Sequence, residues 1–147
     1  MTTKRLLLTL CLALFAIEAN GLKKFVAYKQ KTTFFPAWQT CRLYGGHLAS
    51  IESAAENAQV EAAIKAVGSL DFPWTIGGTD IGIEGRFVWF ATGKEITNTA
   101  YKNWYTNEPN DDLPGEDCIA IGSFAGSKWN DIPCTYVTHG FVCAFVP

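Results

Sequence analysis

Basic charge is scarce in this sequence. Twelve Lys and Arg stand against fourteen Asp and Glu, a formal net charge of −2, so the basic footprint of a nucleic-acid-binding domain is missing. Histidine is scarcer still. The two present, His47 and His139, are far apart, and no Ser or Cys nucleophile presents itself with either, so the residues name no catalytic nucleophile–base pair. No C-x2-C pair occurs, which argues against a structural zinc site. No N-x-S/T sequon occurs, so N-glycosylation is not expected. Internal repeats, low-complexity tracts and coiled-coil heptads are absent as well. Long apolar runs are also missing. The one prominent run, Leu6 to Ile17, has twelve residues, well short of the about 20 that cross a bilayer.

What is there begins with that run. Lys4 and Arg5 precede it, and Glu18-Ala19-Asn20 offers a small residue after it. This is the pattern of a secretory signal peptide over residues 1–20, cut near Ala19 or Asn20. About 127 residues remain, 21–147, which is one domain on the usual length prior. The expected location is extracellular. Five cysteines then become four, because Cys11 leaves with the leader. Cys41, Cys118, Cys134 and Cys143 are an even number in an oxidising compartment. Three pairings are open, and the spacing favours a nested one, Cys118–Cys134 inside Cys41–Cys143. Loop entropy gives roughly 4–5 kcal/mol for the outer bond and roughly 3 for the inner one.

Local patterns place the elements. Phe25 to Tyr28 reads as a strand. Pro36 to Tyr44 reads as a helix with Pro36 at its first position, Trp38 and Cys41 on its inner face, and Gly45-Gly46 as its stop. His47 to Ile51 is a short extended piece. Ser53 to Val67 is the clearest helix: Ser53 and Glu56 form a capping box, Val60, Ile64 and Val67 make one apolar stripe, and Gly68 ends it. After Leu70 come short β-type runs, Trp74 to Gly78, Phe87 to Phe90, Cys118 to Ile121, Lys128-Trp129 and Phe141 to Val146, separated by Gly, Asn, Asp and Pro. Residues 91–114 lack an apolar pattern, but Tyr101, Trp104 and Tyr105 need something to pack on, so this is an ordered functional loop. Trp74, Trp89 and Trp104 are expected in the core, and the two histidines in packing or surface roles. Helices first and antiparallel strands afterwards make an α+β fold.

The charge is uneven. From Asp80 to Asp131 there are four Lys or Arg against nine Asp or Glu. The stretch Asn107 to Cys118, NEPNDDLPGEDC, holds Glu108, Asp111, Asp112, Glu116 and Asp117 with no basic residue. Like charges so close repel, and Pro109 and Pro114 prevent relaxation into a helix. Two readings follow, a solvated acidic turn or a cation site. Calcium takes six to eight oxygen ligands, from carboxylates, amide carbonyls and water. Glu108, Asn110 and Glu116 are such donors, and Asn130-Asp131 adds two more. A Cys118–Cys134 bond would fold that second pair back toward the acidic loop. Three carboxylates and two amides suit a hard divalent ion, whereas imidazole-loving metals lack a nearby His.

These residues carry a resemblance. Trp38…Cys41, Gly45-Gly46-His47-Leu48-Ala49, Trp74-Thr75-Ile76-Gly77-Gly78, Glu108-Pro109-Asn110, Glu116-Asp117-Cys118, Trp129-Asn130-Asp131, Cys134 and Cys143 occur in the order and spacing of a C-type lectin domain, over nearly the whole mature length. The chain resembles the short, mannose-type form, without an extra N-terminal cysteine pair. The resemblance implies two helices, two small antiparallel sheets, a long loop region and the nested disulfides. It implies a sugar-binding Ca2+ site at Glu108, Asn110, Glu116, Asn130 and Asp131, with a cis bond before Pro109. Glu108 and Glu116 would accept hydrogen bonds from sugar hydroxyls, and Asn110 and Asn130 would donate to them. An auxiliary metal site is implied at Asp80, Glu84, Asp111 and Glu116. Gly78 departs from the family, which often has a larger apolar residue there, and this should cost some packing.

The expected function is that of a non-enzymatic, calcium-dependent lectin for mannose-type glycans on microbial or cell surfaces. The competing reading is a module of the same fold that binds a protein or another non-sugar ligand. A paired-carboxylate glycosidase is disfavoured, because the carboxylates lie in a loop beside amides. One shallow site should bind at about millimolar strength, or about −4 kcal/mol. Avidity therefore calls for several sites, and any homo-oligomer would have to use the domain's own surface.

Overall fold

The computed structural model describes residues 23–113 and 115–147. The expected signal peptide, residues 1–20, lies outside the described residues. Strand β1 (Lys24–Tyr28) leads into helix α1 (Phe34–Leu43), strand β2 (His47–Leu48) and helix α2 (Ala54–Val67). Six strands follow: β3 (Pro73–Thr79), β4 (Val88–Trp89), β5 (Lys94–Glu95), β6 (Cys118–Gly122), β7 (Trp129–Ile132) and β8 (Gly140–Phe145), with a 3-10 turn at Ser123–Ala125 after β6.

Helix α2 is capped as its sequence dictates. Ser53 Oγ accepts from the Glu56 amide at 3.1 Å. The Glu56 carboxylate reaches back one residue beyond Ser53, to the Glu52 amide at 2.7 Å. Gly68 stops the helix, and a Cβ there would lie 2.7 Å from the Trp74 indole. Helix α1 starts two residues earlier than expected, so Pro36 is its third residue. A missing N–H still costs nothing there, because first-turn amides have no intrahelical acceptor. Cys41 is fully buried, while Trp38 is half-buried and edge-on to Phe90 at 5.3 Å.

The two expected sheets are joined into one hydrogen-bonded network, because β3 serves both. At its start it pairs in parallel with β8, Trp74 to Gly140 and Thr75 to Phe141. On its other side it runs antiparallel to β6, and at its end it meets β4. β1 and β2 flank β8, and β7 completes the far side through β6. A strand with neighbours on both edges is buried throughout, and Trp74 to Thr79 are all buried. Gly78 leaves no packing deficit: a Cβ there would lie 2.2 Å from Ile119 Cδ1, so isoleucine fills the space from the neighbouring strand.

Both nested disulfides form, Cys41–Cys143 and Cys118–Cys134. One core cluster gathers Val60, Ile64, Trp74, Ile76, Trp89, Ile119, Ile121 and Trp129. Trp129 is fully buried and meets Trp89, Tyr101 and Trp104 edge-on at 5.5, 5.8 and 5.7 Å. Such aromatic pairs contribute roughly 0.5–1.5 kcal/mol each beyond burial. They fasten the long segment 91–113 onto the core.

Candidate functional site

Two anchors position the site. The Trp104–Trp129 bridge ties the long segment to β7, with the Tyr105 amide donating to the Trp129 carbonyl at 2.8 Å and the Trp129 amide to the Asn103 carbonyl at 2.8 Å. Buried Asn57 of α2 supplies the second. It accepts from the Trp129 indole Nε1 at 2.9 Å and donates to the Ser127 carbonyl at 3.0 Å. The residues following Trp129 are Asn130 and Asp131. They lie on a strand rather than in a loop, paired with Ala120 and Ile119.

From there the acidic stretch is laced to β7. Asp131 accepts from the Asn110 amide at 3.1 Å and from the Asp111 amide at 2.8 Å, one on each carboxylate oxygen. The Glu108–Pro109 peptide is cis. Asn110 Oδ1 accepts from the Asp112 amide at 3.0 Å, which fixes the side-chain amide so that Nδ2 donates to Glu108 Oε1 at 3.1 Å. Glu116 Oε2 accepts from the Asp112 amide at 3.1 Å, and Asp111 Oδ1 accepts from the Glu116 amide at 3.1 Å. Asn130 Nδ2 donates to the Asp131 carbonyl at 3.3 Å. Glu108, Asn110, Glu116, Asn130 and Asp131 thus belong to one network, joined by backbone amides and by the Asn110 side-chain amide, with the Glu108 and Asp131 carboxyl groups side by side.

The electrostatics of this network are unbalanced. Glu108 Oε2 is buried without a hydrogen-bond partner among the described residues. The ion pairs among those residues all lie elsewhere, at Lys23, Lys65, Arg86 and Lys94. Burial, with Asp131 and then Glu116 beside it, pushes the Glu108 carboxyl up to about 7. Burial and the Asp131 charge also raise Glu116. Carboxylates left short of countercharge take up protons or a cation. The donor set is all oxygen, which fits a hard divalent ion.

A second acidic group lies nearby. One oxygen each from Asp80, Glu84 and Asp117 come within 4.8 Å of one another. Asp80 is buried, and its Oδ1 has no partner among the described residues. Burial raises its carboxyl, and the charges of Asp117 and Asp131 add to the effect. Of the four residues the resemblance assigned to an auxiliary site, Asp80 and Glu84 are here together. Asp111 acts on Glu84 through its charge. Glu116 is turned into the first network instead. Asp117 was not singled out from sequence, although its place in the acidic stretch was the available signal. Asn57 was also missed. It precedes Val60 and Ile64 by three and seven residues, a polar side chain in phase with an apolar stripe, which marks a buried amide with a partner.

The Lectin C-type domain family profile matches residues 30–145. This chain belongs to the C-type lectin domain family. Among solved structures, this C-type lectin domain is similar to the cow CD23 carbohydrate-recognition domain, crystallised in the presence of a GlcNAc2Man3 oligosaccharide. The identity is 30%, with 85% of this chain and 88% of that one covered and a TM-score of 0.71. It is similar to herring type II antifreeze protein at 30% identity, with 85% and 91% covered and a TM-score of 0.71. It is similar to human lithostathine at 30% identity, with 87% and 96% covered and a TM-score of 0.71. The C-type lectin domain family is generally non-enzymatic. Neither histidine approaches the acidic networks: His47 pairs with Arg42 at 3.1 Å, and His139 stacks on Phe72 at 4.3 Å.

Proposed function

We propose that this protein is a secreted, calcium-dependent lectin for mannose-type sugars on microbial or cell surfaces. The observation that carries the reading is the buried, unpartnered Glu108 oxygen within a network that holds the carboxylates of Glu108, Asp111, Glu116 and Asp131 and no basic residue. Glu108, Asn110, Glu116, Asn130 and Asp131 would hold the calcium. When bound, the ion supplies coordination positions for two adjacent sugar hydroxyls. The chain's own groups supply direction. Asn110 Nδ2 and Glu108 Oε1 stand side by side, so one hydroxyl can accept from the first and donate to the second. Glu116 and Asn130 offer the same acceptor–donor pair. The order acid-then-amide in Glu108-Pro109-Asn110 supports equatorial hydroxyls of the mannose type. A second cation is proposed at Asp80, Glu84 and Asp117, with Asp111 beside them.

Secretion rests on the leader-like residues 1–20. No helix among the described residues is long and apolar enough to cross a membrane. The test is retention on immobilised mannose and galactose, with calcium and with a chelator. Retention on mannose that the chelator abolishes is expected, and absence of any calcium-dependent retention overturns the reading. One observation favours a second reading, a non-sugar ligand on the same fold: antifreeze protein and lithostathine match as well as the oligosaccharide-containing structure. Binding that survives chelation would select it.

A further inference from the structure

We propose that the sugar site continues into an apolar shelf that takes an apolar aglycone attached to the bound sugar. This rests on the lectin reading above. A concavity of about 210 Å³ is lined by Glu116 and Asn130 together with the apolar side chains of Leu113, Phe124, Pro133 and Tyr136. Leu113, Phe124 and Tyr136 are 58, 62 and 51% exposed. Large apolar side chains gathered at one place on a surface mark a contact.

The shelf is held in place by its backbone. Phe124 sits in the 3-10 turn between Gly122 at φ 103° and Gly126 at φ 59°, and Ser123 itself adopts φ 60°. A left-handed serine persists only where the surroundings enforce it. Here a Cβ on Gly122 would lie 2.2 Å from the Phe72 carbonyl oxygen, so the turn is wedged from behind. The Phe124 ring meets Tyr105 edge-on at 5.3 Å. Elsewhere in the lining the Tyr136 amide donates to the Pro133 carbonyl at 2.9 Å, and Cys134 between them is bonded to Cys118.

The occupant follows from size and position. The volume is below the about 300 Å³ at which drug-sized pockets begin, so the shelf suits a few methylenes or one ring rather than a whole ligand. Because Glu116 and Asn130 line the shelf and also belong to the proposed sugar site, that group belongs to the molecule whose hydroxyls they would hold. The recognised ligand is then a sugar with an apolar tail or ring, rather than a sugar with a polar neighbour.

The test is competition against immobilised mannose, in calcium, by methyl, hexyl and phenyl mannosides. A buried methylene is worth roughly fourfold in affinity, so lodging two or three gives roughly 15- to 60-fold. Hexyl mannoside is expected to compete at least about tenfold better than methyl mannoside, and Phe124→Ser to bring that ratio to about one. A phenyl preference lost in the same variant supports the shelf with an aromatic source instead of an aliphatic one. Equal competition by all three, with calcium-dependent retention intact, overturns the shelf and leaves the lectin reading standing. No competition by methyl mannoside overturns the lectin reading itself. A hexyl preference that survives chelation or Phe124→Ser also overturns the shelf. So does a variant that changes self-association but not the ratio, which would make this face a contact between copies.

Discussion

Replacing Glu108 by Gln should stabilise the calcium-free protein while impairing calcium uptake. In the fold the Glu108 carboxyl is raised from 4.5 to about 7, chiefly by burial and then by Asp131. The sign follows from which state holds the proton. Between about pH 4.5 and 7 the folded chain binds more protons than the unfolded one, so its stability falls as pH rises. The Glu108 contribution is present in full below the unfolded value and is lost as pH climbs through the folded one. At about 1.4 kcal/mol per unit, the shift corresponds to at most about 3.4 kcal/mol. Glu108 is only half-buried, and solvent screening reduces this to roughly 1.5 kcal/mol. A Gln amide can donate toward Asp131, which an ionised carboxylate cannot do. At about pH 7.5, without calcium, Glu108→Gln should therefore unfold roughly 4–8 °C above the parent. The gap should close toward about pH 4.5. Thermal unfolding by circular dichroism, with chelator and then with calcium, measures this directly. Adding calcium should raise the parent Tm far more than that of the variant. A variant less stable than the parent at pH 7.5 without calcium would show that the carboxylate is not under strain, and the case for a cation there would fail.

Other outcomes follow from the same geometry. Glu108→Gln combined with Asn110→Asp exchanges donor for acceptor, so retention should move from immobilised mannose to galactose; an unchanged preference refutes the hydrogen-bond account. Asn57→Ala leaves the buried Trp129 indole N–H unpaired, while the Ser127 carbonyl keeps its bond from Asn103 Nδ2 at 2.8 Å, and chemical denaturation should show a loss of roughly 1–3 kcal/mol. Calcium affinity should fall with it, because Trp129 positions Asn130 and Asp131. Gly78→Ala drives a methyl into Ile119 and should cost roughly 1–3 kcal/mol. Adding Ile119→Val should recover part of that loss, and no recovery would place the strain elsewhere.

Much of this architecture can be read along the chain. The α2 cap, the Val60 and Ile64 part of its apolar stripe and the cysteine spacing are local or even-numbered signals, although Val67, expected on the same stripe, is exposed at the helix end, and the acidic stretch announces itself by repulsion. What escaped is non-local or too short. Strand β5 is two residues long, Lys94–Glu95, and two residues carry no alternation. The parallel β3–β8 pairing depends on where β8 returns, which no window around Trp74 reports. Pro36 is tolerated at any of the first three helical positions, so it marks a helix start only to within a turn. At the site, Glu108, Asp111, Asp112, Glu116 and Asp117 are crowded within ten residues, and sequence order alone does not say which carboxylate turns toward which cluster. Asp117 joins Asp80 and Glu84 because the Asp80 amide donates to the Asp117 carbonyl at 3.1 Å, a cross-strand contact set by β3–β6 register.

The outer disulfide encloses almost everything described above. Any peptide bond hydrolysed between Cys41 and Cys143 yields two fragments that remain one covalent body. An extracellular protease that nicks the long segment between β5 and β6 therefore does not release either piece. Such clipping should go unnoticed on a non-reducing gel and be revealed only once a thiol reagent is added.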